Sequence, residues 1–98
     1  MLWRHGDVLI ATVEEIPARA ERLHTTVLAL GEVTGHSHRM EDAQKVNVWK
    51  YGAELFLEVK SETRIVHEEH KPIILPPGSY RVWQQREYTP VRIIRVRD

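Results

Sequence analysis

Cysteine is absent from this 98-residue chain. That excludes a disulfide framework, a thiolate zinc knuckle, an iron–sulfur site and a cysteine nucleophile. Any metal held here must be held by nitrogen and oxygen. A long apolar run is also missing: none approaches the roughly 20 residues that span a bilayer as a helix. The first residues, Met-Leu-Trp-Arg-His-Gly-Asp, join no basic start to an apolar stretch and do not read as a signal peptide. No membrane segment and a cytoplasmic location are therefore the expectations. An excess of either charge is lacking too, since Lys and Arg total 14 and so do Asp and Glu. A neutral chain has no global attraction for nucleic acid or anionic lipid. Only a local patch would carry such binding. From Arg81 to Asp98 five arginines stand against Glu87 and Asp98, a net of +3. The plain reading of that end is a terminal strand with an ion-paired face. The sharper one is a small phosphate-binding patch, although no RNA-binding aromatic motif or helix-turn-helix pattern accompanies it.

What the chain does have is short apolar segments closed by Gly or Pro. Val8 to Val13 runs into Glu14-Glu15-Ile16-Pro17, and Thr25 to Leu30 runs into Gly31. Val46, Val48 and Lys50 alternate with Asn47, Trp49 and Tyr51, and Leu55, Leu57 and Val59 alternate with Phe56, Glu58 and Lys60. That period of two predicts a hairpin turning at Tyr51-Gly52-Ala53. Further strands are expected at Thr63 to Val66, Ile73 to Leu75, Tyr80 to Gln84 and Val91 to Val96, with Pro76-Pro77-Gly78 as a strong turn. Ala18 to Leu23 is the one helical candidate, a turn or two after Pro17. The expected fold is a single all-β domain over residues 1–98, a small barrel or sandwich of about seven to eight short strands. So short a β chain has little core and must cover its strand edges, so a homo-oligomer is expected. Ile73 to Leu75 and Ile93-Ile94 are the candidate contacts.

Histidine is the unusual component, with six residues, four of them in two tight pairs. Gly35-His36-Ser37-His38 holds the first pair. On a strand, positions i and i+2 share a face roughly 6.6 Å apart, and two imidazoles so placed can converge on one ion at about 2.0–2.1 Å. Gly31 and Gly35 before them permit a bulge or a close backbone approach. His67-Glu68-Glu69-His70 holds the second pair. Its i, i+3 spacing shares a face only in a tight turn or one helical turn, and Pro72 after a strand suggests a strand-to-loop junction where such a tight conformation fits. Glu68 and Glu69 are candidates for a ligand, a hydrogen-bond acceptor behind a ligand, or a general base. His5 and His24 stand alone among polar neighbours and read as surface histidines. The spacing of the second pair is one residue short of the helical metalloprotease signature His-Glu-x-x-His.

Gly31-Glu-Val-Thr-Gly-His-Ser-His-Arg-Met-Glu41 resembles the first motif of the cupins. The resemblance implies a β-barrel with His36, His38 and Glu41 as metal ligands. The second histidine pair here precedes the Pro76-Pro77-Gly78 turn rather than following it. The chain is also similar to a set of small uncharacterised bacterial proteins. That likeness rests on Gly-His-Ser-His, on His-Glu-Glu-His-Lys-Pro-Ile-Ile-Leu-Pro-Pro-Gly-Ser-Tyr, and on Gln85-Arg86-Glu87-Tyr88-Thr89-Pro90.

The leading reading is a metal-binding protein. His36, His38, His67 and His70 would hold a divalent ion, zinc first, with iron, manganese, nickel or copper as the other imidazole-and-carboxylate metals. With Glu68 or Glu69 as base, a metal-activated water would give a hydrolase. A redox metal would give a cupin-like oxygenase or isomerase. Tyr80, Trp83 and Tyr88 are either packing residues or a pocket wall, with Arg81, Arg86 and Tyr88 as candidates for binding a small anionic substrate. The alternative is a non-enzymatic interaction module that uses the histidine pairs and the Arg-rich end as a partner or subunit surface.

Overall fold

The computed structural model describes residues 1–31 and 35–85. Ten strands occur among them: β1 (Leu2–His5), β2 (Val8–Thr12), β3 (Glu21–Leu23), β4 (Val27–Leu30), β5 (Ser37–Met40), β6 (Val46–Tyr51), β7 (Glu54–Val59), β8 (Thr63–Val66), β9 (Ile73–Leu75) and β10 (Gly78–Gln84). All pairings are antiparallel. One sheet has the order β1-β2-β10-β7-β6-β3 and the other β4-β5-β8-β9. The result is a sandwich, and no barrel closes among the described residues. The only helical element described is a 3-10 turn at Ala43–Lys45, capped by the Asp42 carboxylate accepting from the Gln44 amide at 2.9 Å.

The alternation read from the sequence decides which faces meet. Val8, Ile10, Val46, Val48, Leu57, Val59, Tyr80 and Val82 of the first sheet pack on Leu28, Met40, Ile65 and Leu75 of the second. Burying each such side chain contributes about 1.5–3 kcal/mol, which is why a one-residue slip in any of these strands is disfavoured. The β6–β7 hairpin turns where expected, with Tyr51 opposite Glu54 and Gly52 at φ 63°. Tyr80 is buried edge-on against Trp3, ring centroids 5.6 Å apart, and its hydroxyl donates to the Pro76 carbonyl across the Pro-Pro-Gly turn.

Two expectations change. Ala18 to Leu23 is not helical. A turn closed by the Ala20 amide on the Pro17 carbonyl (3.0 Å) leads into β3, which pairs with β6. A six-residue segment cannot repay helix nucleation, whereas the β6 edge offers Lys50 opposite Glu21 and the Trp49 ring beneath Arg22 (5.8 Å). The strand count exceeds seven to eight because β1, β3 and β5 are short and carry charged or histidine residues that mask their period. The strand expected at Val91 to Val96 lies outside the described residues.

Candidate metal centre

The first sheet sends the β1–β2 turn, Gly6-Asp7, toward two parts of the second sheet: Gly31 with the start of β5, and the 67–70 segment that follows β8. The cleft between them, about 310 Å³, is lined by Gly6, Asp7, Gly31, His36, His38, His67, Glu69 and His70, with Leu30 at its side. Both histidine pairs named from the sequence therefore reach one place. His38 points inward with Met40 because Ser37 and Arg39 alternate outward on β5. The 67–70 segment is bent rather than extended, so His67 and His70 share a side, ring centroids 4.6 Å apart. The His38 ring lies 4.3 Å from that of His67 and 5.6 Å from that of His70. One nitrogen each from His38, His67 and His70 lies within 4.8 Å of the others, and His36, His67 and Glu68 form a second such group.

Two glycines make the room. At Gly6 (φ +65°) a Cβ would stand 2.7 Å from His70 Nε2 and 3.1 Å from His38 Cε1. At Gly31 a Cβ would stand 2.9 Å from His67 Nε2, and the Gly31 amide donates to the His36 carbonyl at 2.9 Å. The close approach expected at Gly31 is thus used. Gly35 instead supplies a left-handed residue (φ 87°) with open space around it.

His5 is not a surface residue. It closes the β1–β2 hairpin opposite Val8, is 2% exposed, and joins the cluster. Its Nε2 lies 3.0 Å from the Lys71 carbonyl and its Nδ1 lies 3.0 Å from His38 Nδ1. The sequence did carry a signal for it. Gly6-Asp7 between Leu2-Trp3 and Val8-Leu9 is a two-residue hairpin turn, and that turn puts His5 at a strand end. His24 is exposed, as expected, and lines a separate cleft with Arg22 and Thr26.

Burial sets the charge of the two innermost rings, His38 and His5. It pushes the His38 imidazole down to about 4, helped by His67 and His5 and opposed by Asp7. Burial also lowers His5, against the Lys71 hydrogen bond. Both rings are neutral at pH 7. Asp7 Oδ1 lies 3.5 Å from His38 Nε2, and Asp7 Oδ2 accepts from Gln84 Nε2 at 2.6 Å. His67 Nδ1 accepts the Glu69 amide at 3.0 Å.

The carboxylates divide. Glu68 accepts the Ser37 amide (3.1 Å) and pairs with Arg39 (3.0 Å), so it ties the 67–70 segment to the outer face of β5. Those bonds, the Ser37 amide foremost, hold its carboxyl down at about 2. A carboxylate so engaged is a poor general base, and Glu68 is a tether. Glu69 lines the cleft, its Oε2 3.8 Å from His36 Nδ1. Glu41, the third ligand implied by the cupin likeness, follows Met40 with outward parity and pairs with Arg64 instead. Arg81 is held by Glu54 and lies 4.2 Å over the Trp83 ring, and it lines no wall of this cleft. Arg86 and Tyr88 lie outside the described residues.

A two-sheet antiparallel sandwich with a cleft-lining histidine cluster, buried at His5 and His38, where its sheets meet is the class of protein this defines. Residues 4–85, which include all five clustered histidines, match the model of a domain of unknown function, DUF8820, and the chain belongs to that family. No curated protein and no solved structure matches it. No helix among the described residues is long and apolar enough to cross a membrane.

Proposed function

We propose that the protein binds a divalent transition ion, zinc foremost, through His38, His67 and His70, with Asp7 beside them. The observation that carries this reading is the convergence of one nitrogen each from His38, His67 and His70 to within 4.8 Å of one another, with Asp7 Oδ1 3.5 Å from His38 Nε2. A buried neutral imidazole and a carboxylate repel when both present lone pairs, and a cation between them reverses the sign. Tetrahedral ligand atoms at zinc-to-nitrogen distances of about 2.0–2.1 Å stand roughly 3.3 Å apart, close to that separation. The three histidine nitrogens, within 4.8 Å, need to close by at most about 1.5 Å to reach it. His36 and Glu69 flank the cleft and supply polar contacts to whatever occupies it. His38, His67 and His70 alone would leave one position toward the cleft, as in ions that activate water, whereas Asp7 as a fourth ligand would close the site as in structural ones. With Asp7 beside a bound water rather than on the ion, a metal-dependent hydrolase is the activity supported best. Zinc titration calorimetry on protein without a His tag tests this. One-to-one binding that is lost in His38→Ala and kept in His24→Ala is expected, and a parent protein that takes up no zinc sinks the proposal.

Exposed apolar side chains favour self-association as a second property. Ile74 on the edge strand β9 is 55% exposed and Leu30 on the opposite edge strand β4 is 76% exposed. Edges that no strand pairs among the described residues, carrying such side chains, invite pairing with a second copy. Light scattering at micromolar concentration should give a mass above that of one chain, and a clean monomer mass would remove this reading.

A further inference from the structure

We propose that His5 is a positioning residue that fixes which nitrogen of His38 faces the cleft. This deepens the metal-binding reading and rests on it for its purpose, but not for its geometry. The Lys71 carbonyl can only accept. His5 Nε2, 3.0 Å away, must therefore carry the proton and donate it. A neutral imidazole has one ring proton, so His5 Nδ1 is left as an acceptor. His38 Nδ1 lies 3.0 Å from it and must donate. His38 then has its proton on Nδ1 and its lone pair on Nε2, the nitrogen that lies 3.5 Å from Asp7 Oδ1. Each assignment forces the next, from a backbone carbonyl through two side chains to the nitrogen that would meet a cation.

The chain of bonds also crosses the sandwich. His5 belongs to the first sheet and His38 to the second, while Lys71 follows the 67–70 segment that carries His67 and His70. One ring thus holds a candidate ligand from β5 and the backbone beside two others. Histidines that ligate metals commonly donate their second nitrogen to a carbonyl or carboxylate, and loss of that partner weakens binding about 10–100-fold. Here the partner is another histidine, used as an acceptor. Phe at position 5 would fill the space and donate or accept nothing. Asn would return an amide oxygen near the place of Nδ1.

Nitrogen-15 NMR of the ring nitrogens in metal-free protein reads the tautomer directly. The parent should show His38 with its proton on Nδ1, the form less favoured by free histidine in water. His5→Phe should lose that preference and bind zinc about 10–100-fold more weakly, and His5→Asn should recover most of both. His38 protonated on Nε2 in the parent overturns the proposal, and this needs no variant to fold. A His5→Phe protein whose zinc affinity equals that of the parent also overturns it. A parent with the expected tautomer but no affinity for zinc supports the relay and overturns the metal-binding reading, so the two failures are distinct.

Discussion

Mild acid should loosen the metal-free protein well above the range in which its carboxylates titrate. Burial, with His67 and His5 adding to it, holds the His38 imidazole at about 4 in the folded protein, against 6.5 for a free side chain. The unfolded chain therefore takes up a proton at His38 that the folded chain refuses. For a histidine lowered on folding, the stabilising contribution is complete above pH 6.5 and is lost as pH falls toward 4. At 1.36 kcal/mol per pKa unit, integration from pH 7 to pH 5 gives a loss of about 2 kcal/mol. His5 is lowered too and adds in the same direction. Glu68, held at about 2, takes up only about a quarter of a proton in the unfolded chain at pH 5, so it adds little within this window. For a small domain worth 5–15 kcal/mol, a 2 kcal/mol loss shifts the urea midpoint on the order of 1 M. Urea unfolding of chelator-treated protein, followed by far-ultraviolet circular dichroism at pH 7 and pH 5, measures it. In His38→Leu the pH effect should shrink to the part left by His5. Equal midpoints at the two pH values, or an undiminished slope in His38→Leu, would refute the reasoning.

Gly6→Ala and Gly52→Ala both place a side chain at positive φ, at +65° and +63°, and each should cost about 1–3 kcal/mol in urea unfolding. Only Gly6→Ala also sets a Cβ 2.7 Å from His70 Nε2, so only it should weaken zinc uptake by calorimetry; equal affinity in the two variants argues against the cleft. Zinc at either nitrogen of His67 must end the bond from the Glu69 amide to Nδ1, either by taking that lone pair or by moving the ring proton onto it. The Glu69 amide resonance should therefore shift on saturation, and an unmoved Glu69 signal would remove His67 from the ligand set. Glu68→Ala releases the tether to Ser37 and Arg39 and should lower zinc affinity about 10-fold, a change that an exposed, idle carboxylate would not produce.

Much of the fold was legible because its strands obey a period of two and its turns use Gly and Pro. Val46 to Val59 declared both the hairpin and its inner face. β3 was not legible, because Glu21 and Arg22 face solvent and a neighbouring strand, and their pairing with Lys50 and Trp49 exists only once β6 is in place. The site divides in the same way. The His-x-His and His-x-x-His spacings announced His36, His38, His67 and His70, since local geometry alone brings each pair together. His5 and Asp7 come from the other sheet, and no local spacing links them to the histidine pairs. Parity along β5 separates His38 from Glu41, so a motif read as a string grouped two residues that the pleat sends to opposite sides.

The cleft is assembled from contacts that are distant along the chain: His5 meets His38 across 33 residues and Lys71 across 66. The β1–β2 hairpin can form by itself within microseconds, but it then presents only His5 and Asp7. The remaining groups arrive when the two sheets dock, and closing such long loops is the slow part of folding a β chain. A half-folded chain thus offers a metal no more than isolated pairs of imidazoles. The appearance of full-affinity binding during refolding would mark the moment of sheet docking, which makes a coloured ion such as cobalt a clock for the last step of assembly.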